Sequence, residues 1–302
     1  MTGQERLLAA LHFEPVDRVP WAPLIDRYFT RSLPPDKAMN GMAALREYNN
    51  IRQSINGTTE AKIPGSAKKA HEIIAKARGE GRTALTEIEA KKLFASYGLP
   101  VTEINLAKSE EEAVSLAHET GFPIVMKVVS PDIIHKSDAG GVKVNIKDEA
   151  GVRSTYQTIL ANCKAYNANA DIRGVAVQEM APLGTEVIIG SINDPTFGPT
   201  VMFGLGGIFV EVLKDVTFRV APVTKGQAEQ MINEIRSVAI LAGARGEAPR
   251  DRAALADLVC SYAAMIYDLR DEVAETDANP VLVYEEGKGL KVVDARIILK
   301  KK

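Results

Sequence analysis

Apolar and polar positions along residues 83–302 follow spacings that predict a mixed succession of helices and strands. Helical periodicity and start signals predict helices at 86–97, 109–120, 149–165, 225–241 and 251–269. Short apolar runs predict strands at 101–106, 123–129, 142–146, 175–180, 185–192, 200–203, 208–213 and 217–223, followed by a closing hairpin. Because many strands come in hairpin-like pairs, the pattern favours an α+β fold over a doubly wound sheet.

Three of the predicted helices begin with a capping box, in which Ser or Thr is followed three residues later by Glu or Gln. The pairs are Thr86 with Glu89, Ser109 with Glu112, and Thr224 with Gln227. Gly98 and Gly121 stand where two of the helices are expected to end. These signals support the assignment of the helices independently of their apolar spacing.

The N-terminal part of the chain differs in character from the rest. Residues 1–60 are rich in proline and loop-forming residues and are interpreted as an N-terminal extension. Residues 61–82 are predicted to form a linker helix. The elements at 83–174 form one α+β lobe and those at 175–302 form a second, so we expect two lobes preceded by an extension.

Composition and charge exclude several classes of protein. The 302 residues carry a formal net charge of −2, so no global basic field attracts nucleic acid or a membrane surface. The two cysteines, Cys163 and Cys260, lack CxxC spacing, which is typical of a reduced, cytoplasmic protein. The sequence contains neither an export signal nor an apolar span of about 18 residues, so no membrane anchor is expected.

One lysine lies in a strand that is otherwise apolar. Phe122 to Val129 is nearly continuous apolar, as expected of a strand covered on both faces, and Lys127 lies within it. A buried ammonium group must either reach solvent or meet an anion, and a nucleotide phosphate would satisfy it. The loop that follows contains Gly140 and Gly141, whose backbone N–H groups can approach a phosphate closely. We therefore predict phosphate binding at this strand and loop.

A second glycine-rich segment, Gly204-Leu205-Gly206-Gly207, permits two interpretations. Its backbone N–H groups can cradle a phosphoryl group, or the glycines can form a tight turn between two strands. The residues alone do not favour either interpretation.

The closing hairpin brings together three residues with oxygen-bearing side chains. If its turn centres near Glu286 and Gly287, Asn279 and Asp294 lie opposite each other on antiparallel strands. Asp277 falls on the same face by the strand period of two. Such a site, with few protein donors, suits Mg²⁺. The alternative is that Asp277 and Asn279 begin a turn before Pro280 and that Asp294 is a solvated strand residue.

Several short motifs occur in order between residue 83 and the C-terminus. They are Leu85-Thr86-Glu87 with Glu89-Ala90-Lys91, Pro123 to Lys127, His135-Lys136-Ser137-Asp138 with Gly140-Gly141-Val142, Gln178-Glu179-Met180, Gly184 with Glu186-Val187, Asp194-Pro195 with Phe197-Gly198-Pro199, Phe203-Gly204 with Gly206-Gly207, and Asp277 with Asn279-Pro280. Together they resemble the ATP-grasp, or β-type, component of NDP-forming acyl-CoA synthetases. The resemblance covers about residues 83–302 and implies a two-lobed ATP-grasp fold with an N-terminal extension.

The resemblance also implies a binding site for ATP or ADP between the two lobes. Lys127 is then expected to contact the phosphates. Residues 178–180 are expected to form the hinge, with Glu179 and Met180 offering backbone groups to adenine. Glu186 would lie near the ribose, and Asn279 and Asp294 would bind Mg²⁺. The metal ligands implied in this way agree with those inferred from the hairpin.

The reaction implied by the resemblance is reversible. Acyl-CoA, phosphate and ADP are exchanged with free acid, CoA and ATP through an acyl phosphate and a phosphohistidine. That histidine belongs to an α component with CoA-binding and ligase domains, so we expect a β subunit that is active only with an α subunit, most simply in a heterotetramer.

Two residues are candidates for handling the phosphoryl group. His135 matches a second histidine of ADP-forming acetyl-CoA synthetases that is implicated in relaying it, and a neutral imidazole suits such a relay near pH 7. Asp277 is expected to orient the incoming phosphohistidine. The alternative for His135 is a loop histidine that bonds Asp138 or faces solvent.

Two other functions remain open from the sequence. One is a different ATP-grasp ligase that joins a carboxylate to an amine or thiol without a phosphohistidine. The other is a nucleotide-sensing scaffold subunit. Separately, about 25 residues that begin at Glu5 resemble the opening of uroporphyrinogen decarboxylase-like proteins. The chain has no room for their complete barrel, so no activity is inferred from that likeness.

Overall fold

The structure is a computed structural model that describes residues 67–133, 135–207 and 214–301. The N-terminal extension and the predicted strand at 208–213 lie outside these residues, as does the first part of the predicted linker helix. Within the described ranges, the chain forms two antiparallel sheets with helices packed against them. The α+β class predicted from the sequence is therefore confirmed.

The helices are α1 Ala67–Gly79, α2 Glu87–Ser96, α3 Glu110–Thr120, α4 Glu149–Tyr166, α5 Lys225–Glu234, α6 Val238–Leu241 and α7 Arg252–Asp268, with a 3₁₀ turn at Ala244–Gly246. The strands are β1 Ile104–Ala107, β2 Ile124–Val129, β3 Val142–Ile146, β4 Gly174–Glu179, β5 Thr185–Asp194, β6 Gly198–Leu205, β7 Val216–Val220, β8 Val273–Val283, β9 Leu290–Val292 and β10 Ala295–Leu299. Among the described helices, none has the length and apolar character needed to cross a membrane.

The smaller sheet has four strands in the order β1-β4-β2-β3. Helices α3 and α4 cover it with a core that includes Ala117, Ile159 and Val177, all fully buried. Strand β4 pairs with β2 over its whole length and with β1 over residues 175–178. The lobe boundary predicted at 174/175 therefore falls at the start of a strand of the smaller sheet. Strand pairing decides which sheet β4 joins, and that pairing is not visible in the local sequence pattern.

The larger sheet has six strands. Five follow the order β10-β8-β5-β6-β7, and β9 pairs with β8 beside them. Alternate residues of the central strands, such as Val187 and Ile189 in β5 and Phe203 in β6, are fully buried in one core with helices α5 and α7. The opposite face of these strands is partly exposed and carries Asp277 and Asn279.

Helices α1 and α2 also belong to the core of the larger sheet. Leu93 and Phe94 of α2 are fully buried in it, and the Phe94 ring meets Tyr262 edge-on with 5.8 Å between ring centroids. The Leu85 N–H group donates to the carbonyl oxygen of Ile297 in β10 at 3.0 Å. The sequence pattern assigns residues 83–97 to the first lobe. It shows that the helix has an apolar face but does not indicate which sheet covers that face.

The capping signals at the helix starts are largely confirmed. Both hydrogen bonds of the capping box form at Thr86 and at Thr224. At the third start, Ser109 accepts from the Glu112 N–H group, but the Glu112 carboxylate accepts from the Lys108 N–H group at 2.7 Å. That pair is therefore an N-cap without the reciprocal bond.

The helix predicted at 225–241 is interrupted. Helix α5 ends at Glu234, and the short α6 begins at Val238. Between them the Asp215 carboxylate accepts from the backbone N–H groups of Arg236 and Ser237, each at 2.8 Å. A side chain that binds backbone donors in this way competes with the helical hydrogen bonds, so the sequence pattern could not reveal the break.

Candidate functional site

The buried lysine of β2 is neutralised by two carboxylates. Every residue of β2 is buried, and Lys127 is 5% exposed. Its ammonium nitrogen lies 2.6 Å from Glu87 Oε1 and 3.2 Å from Asp294 Oδ2. Lys127 therefore does not reach solvent, and it joins the smaller sheet to helix α2 and to the closing hairpin.

Glu87 is the carboxylate at the centre of this cluster. It lies in the first turn of α2 and is 7% exposed. Besides Lys127, it accepts from Lys136 through Oε2 at 2.8 Å and lies 3.2 Å from the Lys91 ammonium. Burial alone raises the pKa of Glu87, but the charges of these three lysines outweigh burial and hold it at about 2. The Glu87 carboxyl group is therefore ionised in the folded protein near neutral pH.

A second lysine links this cluster to the predicted hinge. Lys91 is 1% exposed, and its ammonium donates to Thr102 Oγ1 at 2.8 Å and to Gln178 Oε1 at 2.7 Å. Burial lowers the pKa of Lys91 to about 8, although the Glu87 charge opposes that shift. The Gln178 side-chain nitrogen is buried and has no hydrogen-bond partner among the described residues, so a polar donor at the hinge is unsatisfied there.

The hinge itself differs in detail from its prediction. The Glu179 carboxylate accepts from Lys291 at 2.6 Å and from the Glu103 N–H group at 3.0 Å. The Glu179 N–H group donates to the Glu103 carbonyl oxygen at 3.2 Å, so this donor is already used. Met180 follows directly after β4 and is half-buried.

The closing hairpin has the register predicted from the sequence. Ala278 lies opposite Ala295, and the Asn279 N–H group donates to the Asp294 carbonyl oxygen at 3.3 Å. The side chain of Asn279 is exposed and that of Asp294 is half-buried. An amide oxygen donor and a carboxylate oxygen donor therefore lie opposite each other in the hairpin, the carboxylate beside Lys127, and this donor set fits Mg²⁺. In the described ranges no three His, Cys, Asp or Glu side chains form a metal-binding cluster.

Asp277 lies two residues earlier on β8, opposite Arg296. Burial raises the pKa of Asp277 to about 6, and the Asp294 and Glu275 carboxylates add to the shift against the charge of Arg296. Asp277 also lines a cavity of about 260 Å³ on the open face of the larger sheet, together with Gly190, Met202, Phe218 and Arg296. The carboxylate therefore faces a space that a side chain from another molecule can enter.

The predicted cradle of backbone N–H groups at Gly140 and Gly141 is not formed. The Gly140 N–H group donates to the Ser137 carbonyl oxygen at 3.0 Å, and that of Gly141 donates to the Lys136 carbonyl oxygen at 2.7 Å. A Cβ atom at Gly141 would lie 2.6 Å from Val128 Cγ1. These glycines serve a tight turn and close packing, and the turn uses the donors that the prediction assigned to phosphate.

At the second glycine segment Gly206 continues the antiparallel pairing of β6 with β5, so its N–H group is used by the sheet. Its N–H group donates to the Glu186 carbonyl oxygen at 2.8 Å, and a Cβ atom there would lie 2.9 Å from Glu186 Cβ. Gly207 is exposed with φ +60°, and the residues that follow it lie outside the described ranges. The side chain of Glu186 is exposed.

His135 precedes the turn at 136–140 and is exposed. Its carbonyl oxygen accepts from the Ala139 N–H group at 3.3 Å. In the described part of the chain its ring makes no hydrogen bond to Asp138. The next residue in the sequence is Lys136, whose ammonium group donates to Glu87.

Sequence reasoning did not select Glu87, Lys91 and Lys136 as site residues. Their only sequence signal is membership of two motifs, since Glu87 and Lys91 lie in the segment that opens the first lobe and Lys136 follows His135. In the structure Glu87 and Lys91 lie one turn of α2 apart. Glu87 and Lys136 are 49 residues apart in the sequence, and no local pattern indicates that they are in contact.

Comparison with known proteins identifies the family of this chain. The ATP-grasp domain family matches residues 76–299. The β subunit of acetate–CoA ligase [ADP-forming] I from Pyrococcus furiosus is 54% identical over 231 residues, which are 76% of this chain and 98% of that protein. The 4-hydroxybutyrate–CoA ligase [ADP-forming] of Nitrosopumilus maritimus is 44% identical over 86% of this chain, which spans 37% of that longer protein.

A solved structure gives the same assignment. The dinucleotide-forming acetyl-coenzyme A synthetase 1 of Ca. Korarchaeum cryptofilum, in complex with coenzyme A and Mg-AMPPCP, is 48% identical and has a TM-score of 0.67. The match covers 76% of this chain and all of the matched chain, and the phosphohistidine segment of that complex points towards its nucleotide-binding site.

The chain therefore belongs to the ATP-grasp family and, within it, to the β subunits of ADP-forming acyl-CoA synthetases, which are acid–thiol ligases that use ATP or ADP with Mg²⁺. This confirms the resemblance and the two-lobed ATP-grasp fold inferred from the sequence, and it decides between the three functions considered there. The likeness of the first residues to uroporphyrinogen decarboxylase-like proteins is not supported by these comparisons.

Proposed function

We propose that the cluster around Lys127 is the phosphate end of a nucleotide site, and that this chain turns over acyl-CoA with an α subunit carrying the CoA-binding domain, the ligase domain and the phosphohistidine. The observation that carries the proposal is the position of the Lys127 ammonium. It lies between Glu87 and Asp294, 3.2 Å from the latter, where the smaller sheet meets the hairpin of the larger one. A cation beside the Asp294 carboxylate, which lies opposite Asn279 in the hairpin, suits a phosphate chain that shares a divalent metal ion.

The metal and the nucleotide fit the residues that are present. Asn279 and Asp294 would hold Mg²⁺, which neutralises charge on the phosphates when bound. The unpartnered side-chain nitrogen of Gln178 is a donor next to the hinge, where a nucleotide base needs polar partners. Met180, the Glu179 carbonyl group and Glu186 are the proposed contacts of base and ribose, and Gly207 remains a candidate for the phosphate side.

Two residues would handle the phosphoryl group. In the direction of ATP synthesis, acyl-CoA and phosphate give acyl phosphate and free CoA, and the acyl phosphate then passes its phosphoryl group to a histidine as the acid leaves. His135 would relay that group towards ADP. Asp277 would hydrogen-bond the incoming imidazole and fix its tautomer, and the cavity of about 260 Å³ beside its carboxylate offers the space.

The proposal also covers the cellular compartment of this activity and the subunit assembly that performs it. Both cysteines, the buried Cys163 and the half-buried Cys260, are free thiols, as expected of a cytoplasmic enzyme. A heterotetramer of two α and two β subunits is the simplest assembly. The acyl group would be chosen by the α subunit, and relatives of this chain include both acetate–CoA and 4-hydroxybutyrate–CoA ligases.

The proposal is tested by reconstitution. The chain is co-expressed with the α subunit of an ADP-forming acetate–CoA ligase, and ATP formation is followed with acetyl-CoA, ADP, phosphate and Mg²⁺. We expect ATP formation that requires acetyl-CoA, phosphate and both subunits. ATP formation that proceeds without this chain, or none when both subunits are present, would contradict the proposed role.

A matched pair of variants links that activity to the site. Lys127→Met should abolish it, whereas Lys164→Met, which alters an exposed lysine in the last turn of α4, should leave it unchanged. Equal activity in the two variants would show that the Lys127 cluster is not the nucleotide site.

A further inference from the structure

One buried carboxylate bridges two lysines through different oxygen atoms. Glu87 Oε1 accepts from the Lys127 ammonium at 2.6 Å, and Glu87 Oε2 accepts from the Lys136 ammonium at 2.8 Å. The side chains of Glu87 and Lys127 are 4% and 7% exposed, whereas the Lys136 side chain is 21% exposed. Of the two bridged lysines, Lys136 therefore has more access to a ligand.

Three separate backbone segments fix this arrangement. Lys127 is held in the middle of the smaller sheet, opposite Ala176. Glu87 is fixed by the capping box that starts α2 at Thr86. The carbonyl group of Lys136 is held by the Gly141 N–H group at 2.7 Å. Because each segment is anchored independently, Glu87 can set the spacing of the two ammonium groups.

The cluster carries more positive than negative charge. Among the residues that the structure describes, three lysines, Lys91, Lys127 and Lys136, meet two carboxylates, Glu87 and Asp294. Lys91 is directed into the interior, where Thr102 and Gln178 also accept from it. A surplus positive charge at a largely buried position is costly unless an anion joins it. The surplus therefore favours an anion that meets Lys127 and Lys136 together.

The charge state of Lys136 agrees with this interpretation. Burial lowers its pKa, but the carboxylates of Glu87 and Asp294 outweigh burial and leave the pKa above its usual value. Lys136 is therefore cationic at neutral pH. It also directly follows His135, the residue proposed to exchange the phosphoryl group, which favours a contact with the distal end of the phosphate chain.

We propose that Lys136 is a second lysine that contacts the terminal phosphate of the bound nucleoside di- or triphosphate, and that Glu87 is a positioning residue that presents Lys127 and Lys136 as a pair. The inference rests on the proposed function, because it needs a nucleotide at this site. It extends that function by adding a phosphate contact and by explaining why a carboxylate lies beside a binding site for an anion.

The test compares an adenine nucleotide that carries terminal phosphates and their metal ion with one that carries neither. Calorimetry measures the dissociation constants of Mg·ATP and AMP for the wild-type chain, Lys136→Met, Lys136→Arg and the control Lys164→Met. We expect Lys136→Met to weaken Mg·ATP binding about tenfold or more and to leave AMP binding within about twofold. Lys136→Arg, which retains the charge, should stay within about threefold of the wild type, and the control should bind both ligands as the wild type does.

A double-mutant cycle tests the role of Glu87. Glu87→Gln removes a charge from the site and also changes the geometry of the site. The relevant quantity is therefore the coupling between the Glu87 and Lys136 substitutions and not the effect of Glu87→Gln alone. If Glu87 positions Lys136, then Lys136→Met should alter the ratio of ATP to AMP affinity by only about twofold in the Glu87→Gln background. A purely structural role of Glu87 predicts the same ratio change in both backgrounds.

The outcomes separate this inference from the proposed function. Failure of the wild-type chain to bind Mg·ATP would overturn the proposed function and this inference with it. Wild-type binding with an unchanged ratio in Lys136→Met would overturn the contact with Lys136 alone. Full additivity in the cycle would overturn the positioning role of Glu87. Thermal unfolding verifies that each variant is folded, and Lys136→Gln gives the same comparison if the methionine variant does not fold.

Discussion

The Lys127 ammonium lies 3.2 Å from Asp294 Oδ2, and this contact joins a strand of the smaller sheet to the hairpin of the larger one. The two residues are 167 positions apart in the chain. One is the proposed phosphate ligand and the other a proposed ligand of Mg²⁺, so without a nucleotide they satisfy each other. Binding would replace this direct ion pair by contacts of each residue with the metal–nucleotide complex.

Replacement of Lys127 should mainly affect nucleotide binding. We expect Lys127→Met to weaken Mg·ADP binding by about tenfold or more, since a charge-assisted contact with phosphate is lost. Calorimetry on the isolated chain measures this, with Lys164→Met as the control. Unchanged affinity in Lys127→Met would show that the phosphates bind elsewhere.

Replacement of Asp294 should change the dependence on the metal ion. Asp294→Asn keeps the shape of the side chain but removes its charge, so we expect a higher Mg²⁺ concentration for half-maximal nucleotide binding. The measurement is a Mg²⁺ titration at fixed ATP. Glu111→Gln, which alters a side chain that is 76% exposed on α3, serves as the charge-matched control. Identical titrations for Asp294→Asn and the wild type would remove Asp294 from the metal site.

The role of Gly141 predicts a change in stability. A Cβ atom would lie 2.6 Å from Val128 Cγ1 and 3.1 Å from Cys163 Sγ, inside the core of the smaller lobe. We expect Gly141→Ala to lower the free energy of unfolding by about 1–3 kcal/mol, the usual cost of overpacking. Gly226→Ala is the matched control, since nothing lies within 4 Å of its Cβ position in α5, and there alanine should be neutral or mildly stabilising. Denaturant unfolding compares the two variants, and equal stabilities would contradict the packing argument.

The low pKa of Glu87 predicts how acid affects stability. Its pKa is about 2 in the folded protein against an ordinary value of 4.5, because three lysine ammonium groups stabilise the carboxylate. The unfolded chain therefore binds the proton more readily, and the contribution of Glu87 to stability is present above pH 4.5 and is lost as the pH falls towards 2. The difference in unfolding free energy between wild type and Glu87→Gln should shrink across that range. A difference that is independent of pH would show that Glu87 is not stabilised in this way.

The parts of the site that could be predicted depend on local rules. The register of Asn279 and Asp294 follows from a hairpin whose turn residues are visible in the sequence, and the burial of Lys127 follows from the apolar run around it. The packing of α2 on the larger sheet could not be predicted, because the apolar face of a helix does not indicate which of the two sheets it packs against.

The N–H groups of Gly140 and Gly141 show a different limit of sequence reasoning. Glycine is compatible both with close approach of a ligand and with a tight turn, and only the hydrogen bonds to Ser137 and Lys136 distinguish the two. Glu87 and Lys136 were missed because a contact across 49 residues leaves no periodic signal. The family motifs contain both residues, but membership of a motif does not say which partner a side chain has.

The most direct test of the account is phosphoryl transfer from γ-labelled ATP with Mg²⁺, with and without the α subunit, in wild type, His135→Ala and Asp294→Ala. We expect an acid-labile, base-stable label on histidine that is lost in both variants. Tight binding of Mg·ATP without such a label, even when the α subunit is present, would contradict the proposed phosphohistidine relay.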